Sequence, residues 1–172
     1  RGDDGKSYTA EGTPTYHVAE DGTVDWYVYQ GFRRYHSECH VCHGPDGMGS
    51  TFAPALANAL KHMDYYDFMD VVVNGRGSGT SVMPSFGDNP NVMCYIDDIY
   101  IYLKARSDDA VPRGRPAKRE DKPDAAREAA RAYAMEMSDR EVAELVADRA
   151  GDDASYTVRQ HGRTLTVTVS AP

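Results

Sequence analysis

Two cysteines and a histidine near residue 40 constrain this chain more than any other feature of its sequence. Residues 39–43 read Cys39-His40-Val41-Cys42-His43, so a histidine directly follows the second of two closely spaced thiols. Two thiols at this spacing add across the two vinyl groups of one haem, and the adjacent imidazole is then placed to bind the iron. The pattern therefore predicts a fold built around a covalent haem, with thioether bonds from Cys39 and Cys42 and with His43 on the iron.

A C-x-x-C pair also occurs in zinc sites and in redox dithiols. A structural zinc ion usually takes four nitrogen or sulfur ligands, whereas this chain has one further cysteine, Cys94, and no second pair. A dithiol site is expected to open a helix within a βαβ unit, and the sequence shows no parallel-sheet pattern. The histidine directly after Cys42 also favours haem over these two alternatives.

The second axial ligand of the iron has to come from elsewhere in the chain. The main candidates are Met48, Met63, Met69, Met83, Met93 and His62. Met83 stands out because it follows a glycine-rich stretch, residues 74–79, and precedes Pro84, which together predict a loop. Ligation by His43 and Met83 raises the haem potential and leaves no open position on the iron. It favours one-electron transfer over the chemistry of a haem enzyme with a labile sixth ligand. A permanent haem subunit of a larger redox complex stays an open alternative.

Length and hydropathy predict one domain, or one domain with an appendage. The chain has 172 residues, 41% of them hydrophobic, and no stretch of 18 apolar residues, so no membrane insertion is expected. The resemblance of the motif to those that bind haem covalently implies that the haem is attached outside the cytoplasm. We therefore expect a mature periplasmic protein from which a signal peptide has been removed.

The net charge of −8 is distributed unevenly. Residues 1–110 hold 16 acidic and 8 basic residues, whereas residues 111–172 hold 11 of each. An acidic surface argues against nucleic acid and anionic membrane as partners. The acidic surface favours a partner with a basic patch, or else it serves only to keep an exported protein soluble.

The order of elements predicts a mainly α fold in three parts. Residues 1–25 form an N-terminal arm with a hairpin signal around Asp21-Gly22. Residues 26–110 form the helical haem domain, with helices over about 26–37, 56–60 and 65–73 and a last helix from Pro90 to near Arg106. Residues 111–172 form an extension with a linker over 112–124, helices starting at Asp124 and Ser138, and a β-hairpin on either side of His161-Gly162.

The haem domain resembles a class I cytochrome c. A glycine and an aromatic residue, Gly31 and Tyr35, precede the cysteine motif, and a Met-Pro segment and an aromatic last helix follow it. The resemblance implies that Gly31 and Tyr35 cross the last helix near Tyr102. It also implies that the carbonyl of Pro54 accepts the Nδ1 proton of His43 and so holds its tautomer.

Three stretches, residues 31–36, 43–50 and 92–100, are more narrowly similar to cytochrome c-L and related cytochromes of methanol metabolism. This resemblance covers roughly residues 8–120. It implies an electron acceptor for a methanol dehydrogenase that uses pyrroloquinoline quinone (PQQ), including the lanthanide-dependent type. The electron would pass on to another cytochrome c or to an oxidase.

Three further expectations concern single residues and ions. Arg76 is assigned as a partner for a haem propionate. Cys94 has no second cysteine in the extension to pair with, unlike relatives that share it, and is expected to be buried and inert rather than to link two chains. Some cytochromes of the c-L kind also bind calcium near a propionate, but no acidic loop in this sequence has EF-hand spacing.

Overall fold

The computed structural model describes residues 1–78, 81–128, 154–160 and 163–169, with side chains left out of the description at 78, 81 and in the two C-terminal strands. The described chain forms two compact units, Arg1–Pro123 and Asp124–Pro172. The helices of the first unit are α1 (Trp26–Glu38), α2 (His40–His43), α3 (Leu56–Ala59), α4 (Tyr65–Asn74), α5 (Pro90–Met93) and α6 (Ile96–Ser107). Its short antiparallel pairs are β1 (Ser7–Tyr8) with β2 (Pro14–Thr15) and β3 (Arg76–Ser78) with β4 (Ser81–Met83).

Helix α1 begins where the sequence predicts it. Asp25 caps the helix by accepting a hydrogen bond from the backbone N–H of Val28 at 2.8 Å, which satisfies one of the free amides of the first turn. Val28 and Tyr35 are fully buried on one face of the helix. This face therefore points into the core, as helical spacing of apolar residues requires.

The core of the first unit is the crossing of α1 and α6. At Gly31 the two backbones come so close that an added Cβ would lie 1.8 Å from the carbonyl oxygen of Asp98. The rings of Tyr35 and Tyr102 pack beside this point with centroids 5.7 Å apart. The predicted crossing of Gly31 and Tyr35 with the last helix is confirmed, and only glycine fits at position 31.

Two predicted elements differ from the structure. The predicted last helix is interrupted at Cys94 and Tyr95, which lie between α5 and α6. Tyr95 leaves helical geometry there, with φ −132° and ψ 15°. The glycine-rich segment before Met83 is a hairpin rather than a loop, with Arg76 opposite Met83. Glycine content predicted a loop but not the pairing of residues 76–78 with residues 81–83.

The segment after α6 is not a free linker, because it packs on the first unit. The backbone of Val24 accepts a hydrogen bond from Glu120 N at 2.8 Å and donates one to the carbonyl of Lys118 at 3.2 Å. Arg119 lies over the ring of Trp26 at 5.0 Å. We call residues 113–123 the strap; the sequence assigned it to the extension, whereas the first compact unit ends only at Pro123.

The second unit contains the predicted C-terminal hairpin. β5 (Ala154–Gln160) pairs antiparallel with β6 (Arg163–Val169), and Gln160 stands opposite Arg163. Residues 124–128 are helical at the predicted start of the first helix of the extension. The remainder of that helix and the predicted helix from Ser138 lie outside the described residues.

Among the residues that the structure describes, no helix combines the length and hydropathy needed to cross a bilayer.

Candidate functional site

The cysteine motif begins where α1 ends. Cys39 closes α1, with its N–H bonded to the carbonyl of Tyr35 at 2.9 Å, and it also precedes the single turn of α2. Cys39 is half-buried and Cys42 is exposed. Because α2 is one helical turn, it brings both thiols and His43 into one short, rigid segment.

The environment of Cys39 argues against a reactive dithiol or thiolate site. Burial, followed by the nearby charges of Glu38 and Cys42, raises the pKa of the Cys39 thiol to about 12. A redox-active cysteine needs a lowered pKa, since the thiolate is the reactive form. A thiol that stays protonated at neutral pH is compatible with a cysteine that ends up as a thioether.

The His43 side chain is buried and oriented. Only 7% of the residue is exposed, and its Nδ1 lies 3.0 Å from the carbonyl oxygen of Pro54. With Nδ1 donating to Pro54, the free lone pair is on Nε2, which is the arrangement an imidazole needs to bind a metal. The structure thus brings His43 and Pro54 together as the sequence resemblance implied.

A tight loop carries the chain away from His43. The carbonyl of His43 accepts the N–H of Gly49 at 2.7 Å, and the hydroxyl of Tyr35 donates to the carbonyl of Gly44 at 2.5 Å and accepts from the N–H of Gly47 at 3.0 Å. At Gly44 the backbone has φ +71°, and a Cβ would lie 2.2 Å from the carbonyl oxygen of Gly49. We call residues 43–49 the attachment loop. Its backbone bonds close it onto α1.

Asp46 is a buried carboxylate within the attachment loop that sequence reasoning did not single out. It is 6% exposed and adopts φ 60°, a left-handed conformation that aspartate tolerates better than most residues. Its Oδ1 accepts from the N–H of Gly114 in the strap at 3.0 Å. The only sequence signal was a polar residue between two glycines, which also fits an ordinary turn.

The structure separates the candidate sixth ligands. Met83 ends β4 and is half-buried, and its carbonyl lies against Gly75, where a Cβ would come within 2.6 Å. Met48 is 43% exposed, and its Sδ lies 3.6 Å from the guanidinium of Arg106. Met48 is therefore turned towards a cation, which disfavours it as an iron ligand. The other candidates, Met83, Met63, Met69, Met93 and His62, remain compatible with that role.

A cavity of about 290 Å³ opens beside α3 and α4. Its lining residues are Ala59, His62, Met63, Asp67, Asp70, Val71 and Arg76. The lining combines apolar side chains with the carboxylates of Asp67 and Asp70 and the guanidinium of Arg76. Neither His43 nor Met83 is among the lining residues.

Exposed apolar side chains cluster in sequence around the predicted attachment and ligand positions. Val41 is 73%, Phe52 78% and Val82 73% exposed. Val41 lies next to Cys42, and Val82 next to Met83. Phe52 is tied to the same region, because Ser50 Oγ accepts its N–H at 3.0 Å and donates to the carbonyl of Cys42. Such side chains suit a surface that an apolar group covers in part.

Cys94 is exposed, so the expectation that it is buried is wrong. The helix break places it at the end of α5, away from the apolar stripe of Val92 and Ile96. In the described part of the chain, no group of three or more His, Cys, Asp or Glu side chains is arranged to hold a metal ion, and a calcium site has no support there.

Comparisons with known proteins point in one direction. Residues 28–103 match the family model described as cytochrome C oxidase, cbb3-type, subunit III. The chain is 57% identical over 126 residues to cytochrome c-553I of Paracoccus denitrificans, an alignment that covers 71% of this chain and 56% of that protein. It is 44% identical over 92 residues to cytochrome c-555 of Methylococcus capsulatus, covering 53% of this chain and 72% of the relative.

A solved structure gives the same result for the fold. The crystal structure of the c-type cytochrome XoxG from Methylobacterium extorquens AM1 superposes with a TM-score of 0.71 at 52% identity, covering 75% of this chain and 81% of that one. A 97-residue stretch is also 34% identical to the dehydrogenase subunit of alcohol dehydrogenase (quinone) from Acetobacter aceti, of which it covers 12%. The chain spans little more than half the length of the Paracoccus relative.

Proposed function

The chain belongs to the c-type cytochromes, with one covalent haem c at its C-x-x-C-H motif, and we propose that it accepts electrons one at a time from a PQQ-dependent methanol or alcohol dehydrogenase. The observation that carries the proposal is the buried His43, held through Nδ1 by Pro54 beside two cysteines on one helical turn. The recipient of the electron is a downstream cytochrome c or an oxidase. The protein works in the periplasm and transforms no substrate.

Each proposed site residue has a distinct task. Cys39 and Cys42 would hold the haem through thioether bonds, and His43 and Met83 would supply the ligands of its iron. Pro54 fixes the orientation of the imidazole, and Arg76 on the rim of the cavity neutralises a propionate. The haem supplies the one-electron couple, while these side chains set its potential and keep water from the iron.

Two observations support a quinoprotein dehydrogenase as the donor. Residues 31–36, 43–50 and 92–100 resemble cytochromes of methanol metabolism, and one relative is a subunit of a quinone alcohol dehydrogenase. The acidic excess within residues 1–110 also suits a donor with a basic docking surface, because opposite charges raise the rate of encounter. A basic patch on the dehydrogenase is part of the proposal.

Stopped-flow mixing of the oxidised protein with purified PQQ-dependent dehydrogenase and methanol tests this donor. We expect reduction of the haem within the turnover time of the dehydrogenase, and slower reduction at higher ionic strength because charge screening weakens the encounter. A dehydrogenase of another cofactor class serves as the control. Absence of reduction on the turnover timescale would rule out the proposed donor. Peroxide turnover, with a high-spin oxidised spectrum, would instead indicate a haem enzyme.

A further inference from the structure

We infer that Asp46 is a positioning residue for the haem site, and that Arg113 and Gly114 of the strap hold its charge in place and thereby set the redox potential. This inference rests on the proposed function, since it assigns to the strap a part in tuning the haem. It is carried by the contacts of one buried carboxylate inside the attachment loop.

The carboxylate of Asp46 is contacted by three residues, two in the strap and one in α6. Its Oδ1 accepts from the N–H of Gly114 at 3.0 Å and from the hydroxyl of Tyr102 at 3.4 Å. Its Oδ2 lies 3.6 Å from Nε of Arg113. The strap and α6 thus both hold a side chain whose backbone belongs to the attachment loop.

A histidine and two arginines also lie beside Asp46. His36 directs Nδ1 at the carbonyl of Phe32 at 2.8 Å, and its Nε2 lies 3.4 Å from the backbone nitrogen of Asp46 and 3.6 Å from Oδ1 of Asp46. The permanently charged groups in contact with Asp46 are Arg113 at the carboxylate and Arg106, whose Nε donates to the Asp46 carbonyl at 3.4 Å.

The position of the Asp46 charge allows it to affect the redox potential of the haem. Asp46 follows His43 by three residues, so the two Cα atoms are at most about 11 Å apart. Both side chains are buried, 6% and 7% exposed, and charges in such surroundings interact more strongly than charges in water. A negative charge here disfavours uptake of an electron, and the guanidinium of Arg113 offsets part of that effect.

Two single substitutions have opposite expected effects on the potential. Asp46→Asn removes the negative charge but keeps an oxygen acceptor and a residue that tolerates φ 60°. At a fixed ambient potential near the midpoint, it should raise the ratio of reduced to oxidised protein roughly three- to tenfold. Arg113→Gln should lower the ratio by about twofold, since this side chain is 63% exposed and its charge is screened.

The strap offers a matched control for Arg113. Arg115 carries the same charge two residues further along, but it contacts the hydroxyl and ring of Tyr29 rather than Asp46. Arg115→Gln should change the ratio of reduced to oxidised protein less than Arg113→Gln does. Arg113→Lys should keep that ratio at the wild-type value. In the Asp46→Asn background, Arg113→Gln should have a smaller effect than it has alone. If the substitutions only loosened the attachment loop, Asp46→Asn and Arg113→Gln would both lower the redox potential, because exposure to water favours the more highly charged oxidised haem.

Amide hydrogen exchange gives a second readout that does not depend on the redox couple. The Gly114 N–H should stay protected in Asp46→Asn, where an oxygen acceptor remains, and lose protection in Asp46→Ala. If both variants bind haem, but Asp46→Asn and Arg113→Gln shift the ratio of reduced to oxidised protein equally or in the same direction, the inference is overturned. The proposed function would still stand. Failure of the wild-type chain to hold haem would overturn both.

Discussion

At the scale of single residues, the haem-binding residues could be predicted from the sequence because they are close neighbours in it. Cys39, Cys42 and His43 lie within five positions, and their spacing alone predicts the haem. Asp46 was not recognised, because its partner Gly114 is 68 residues away. The meaning of a buried carboxylate depends on such long-range partners, which composition and periodicity do not reveal.

Replacing Met83 with alanine tests the proposed sixth ligand. We expect the midpoint potential to fall by roughly 100 mV or more, because loss of the thioether removes the ligand that stabilises the reduced haem. The covalent haem should remain attached, as the thioethers are untouched. Potentiometric titration of the holoprotein measures the change. Met48→Ala is the control, and its potential should stay within a few tens of millivolts of the wild type.

An unchanged potential in Met83→Ala would show that another residue binds the iron. Met63 is the next residue to test, because it lines the cavity beside α4.

A second residue-scale prediction concerns Asp98, which is buried at the α1–α6 crossing. Burial raises its pKa from 3.8 to about 7, against the opposing effect of Lys6, whose Nζ is 3.8 Å away. The folded state thus holds this proton more tightly than the unfolded state. The resulting stability is fully present below about pH 4 and is lost as the pH rises through 7.

Asp98→Asn should therefore flatten the decline of the unfolding temperature between about pH 4 and pH 7, and should unfold at a higher temperature than wild type at about pH 8. Thermal unfolding followed by circular dichroism across this range measures both effects. The neighbouring Asp97 is the control, since it binds Lys6 at 2.9 Å and Tyr65 at 2.7 Å. Asp97→Asn should destabilise the protein near neutral pH. An undiminished decline in Asp98→Asn would refute the assignment.

At the scale of elements, the Gly31 crossing makes the most direct prediction. Gly31→Ala puts a Cβ 1.8 Å from the carbonyl oxygen of Asp98, so α1 and α6 must move apart. Overpacking of this kind costs about 1–3 kcal/mol, or more where the contact is backbone. Gly77→Ala is the matched control, since no atom lies within 4 Å of its added Cβ. Denaturant unfolding of both variants should show a large loss at position 31 only, and equal losses would contradict the crossing.

The elements also show how far the sequence predicts this fold. Helices α1 and α4 were predicted to within a residue because the spacing of their apolar residues is a local signal. In the structure, Asp25 and Asp64 cap them. The break at Cys94 and the β3–β4 pairing were not predicted. Both depend on how distant segments pack, and a glycine-rich stretch is compatible with either a loop or a hairpin.

At the scale of the whole molecule, the boundary of the haem domain differs from the one read from the sequence. Residues 111–172 were grouped as one extension, yet the strap belongs to the first compact unit. It is fastened there by backbone bonds to Val24, by Gly114 on Asp46 and by the ion pair between Glu120 and Arg1 at 2.7 Å. A polar, Pro-rich composition resembles a linker, but its hydrogen-bond partners make it part of the fold.

Two truncations, both compared with the full chain, separate these boundaries. A chain ending at Pro123 keeps every strap contact, so its haem domain should unfold within about 2 °C of the full chain. A chain ending at Ala110 loses the strap together with the buried Val111, whose carbonyl accepts from Arg106. It leaves the Asp46 carboxylate without the Gly114 amide and should unfold at least about 5 °C lower. Thermal unfolding followed at the haem absorbance reports on this unit alone. Equal unfolding temperatures for the two truncated chains would show that the strap contributes no stability, and would move the domain boundary back to residue 110.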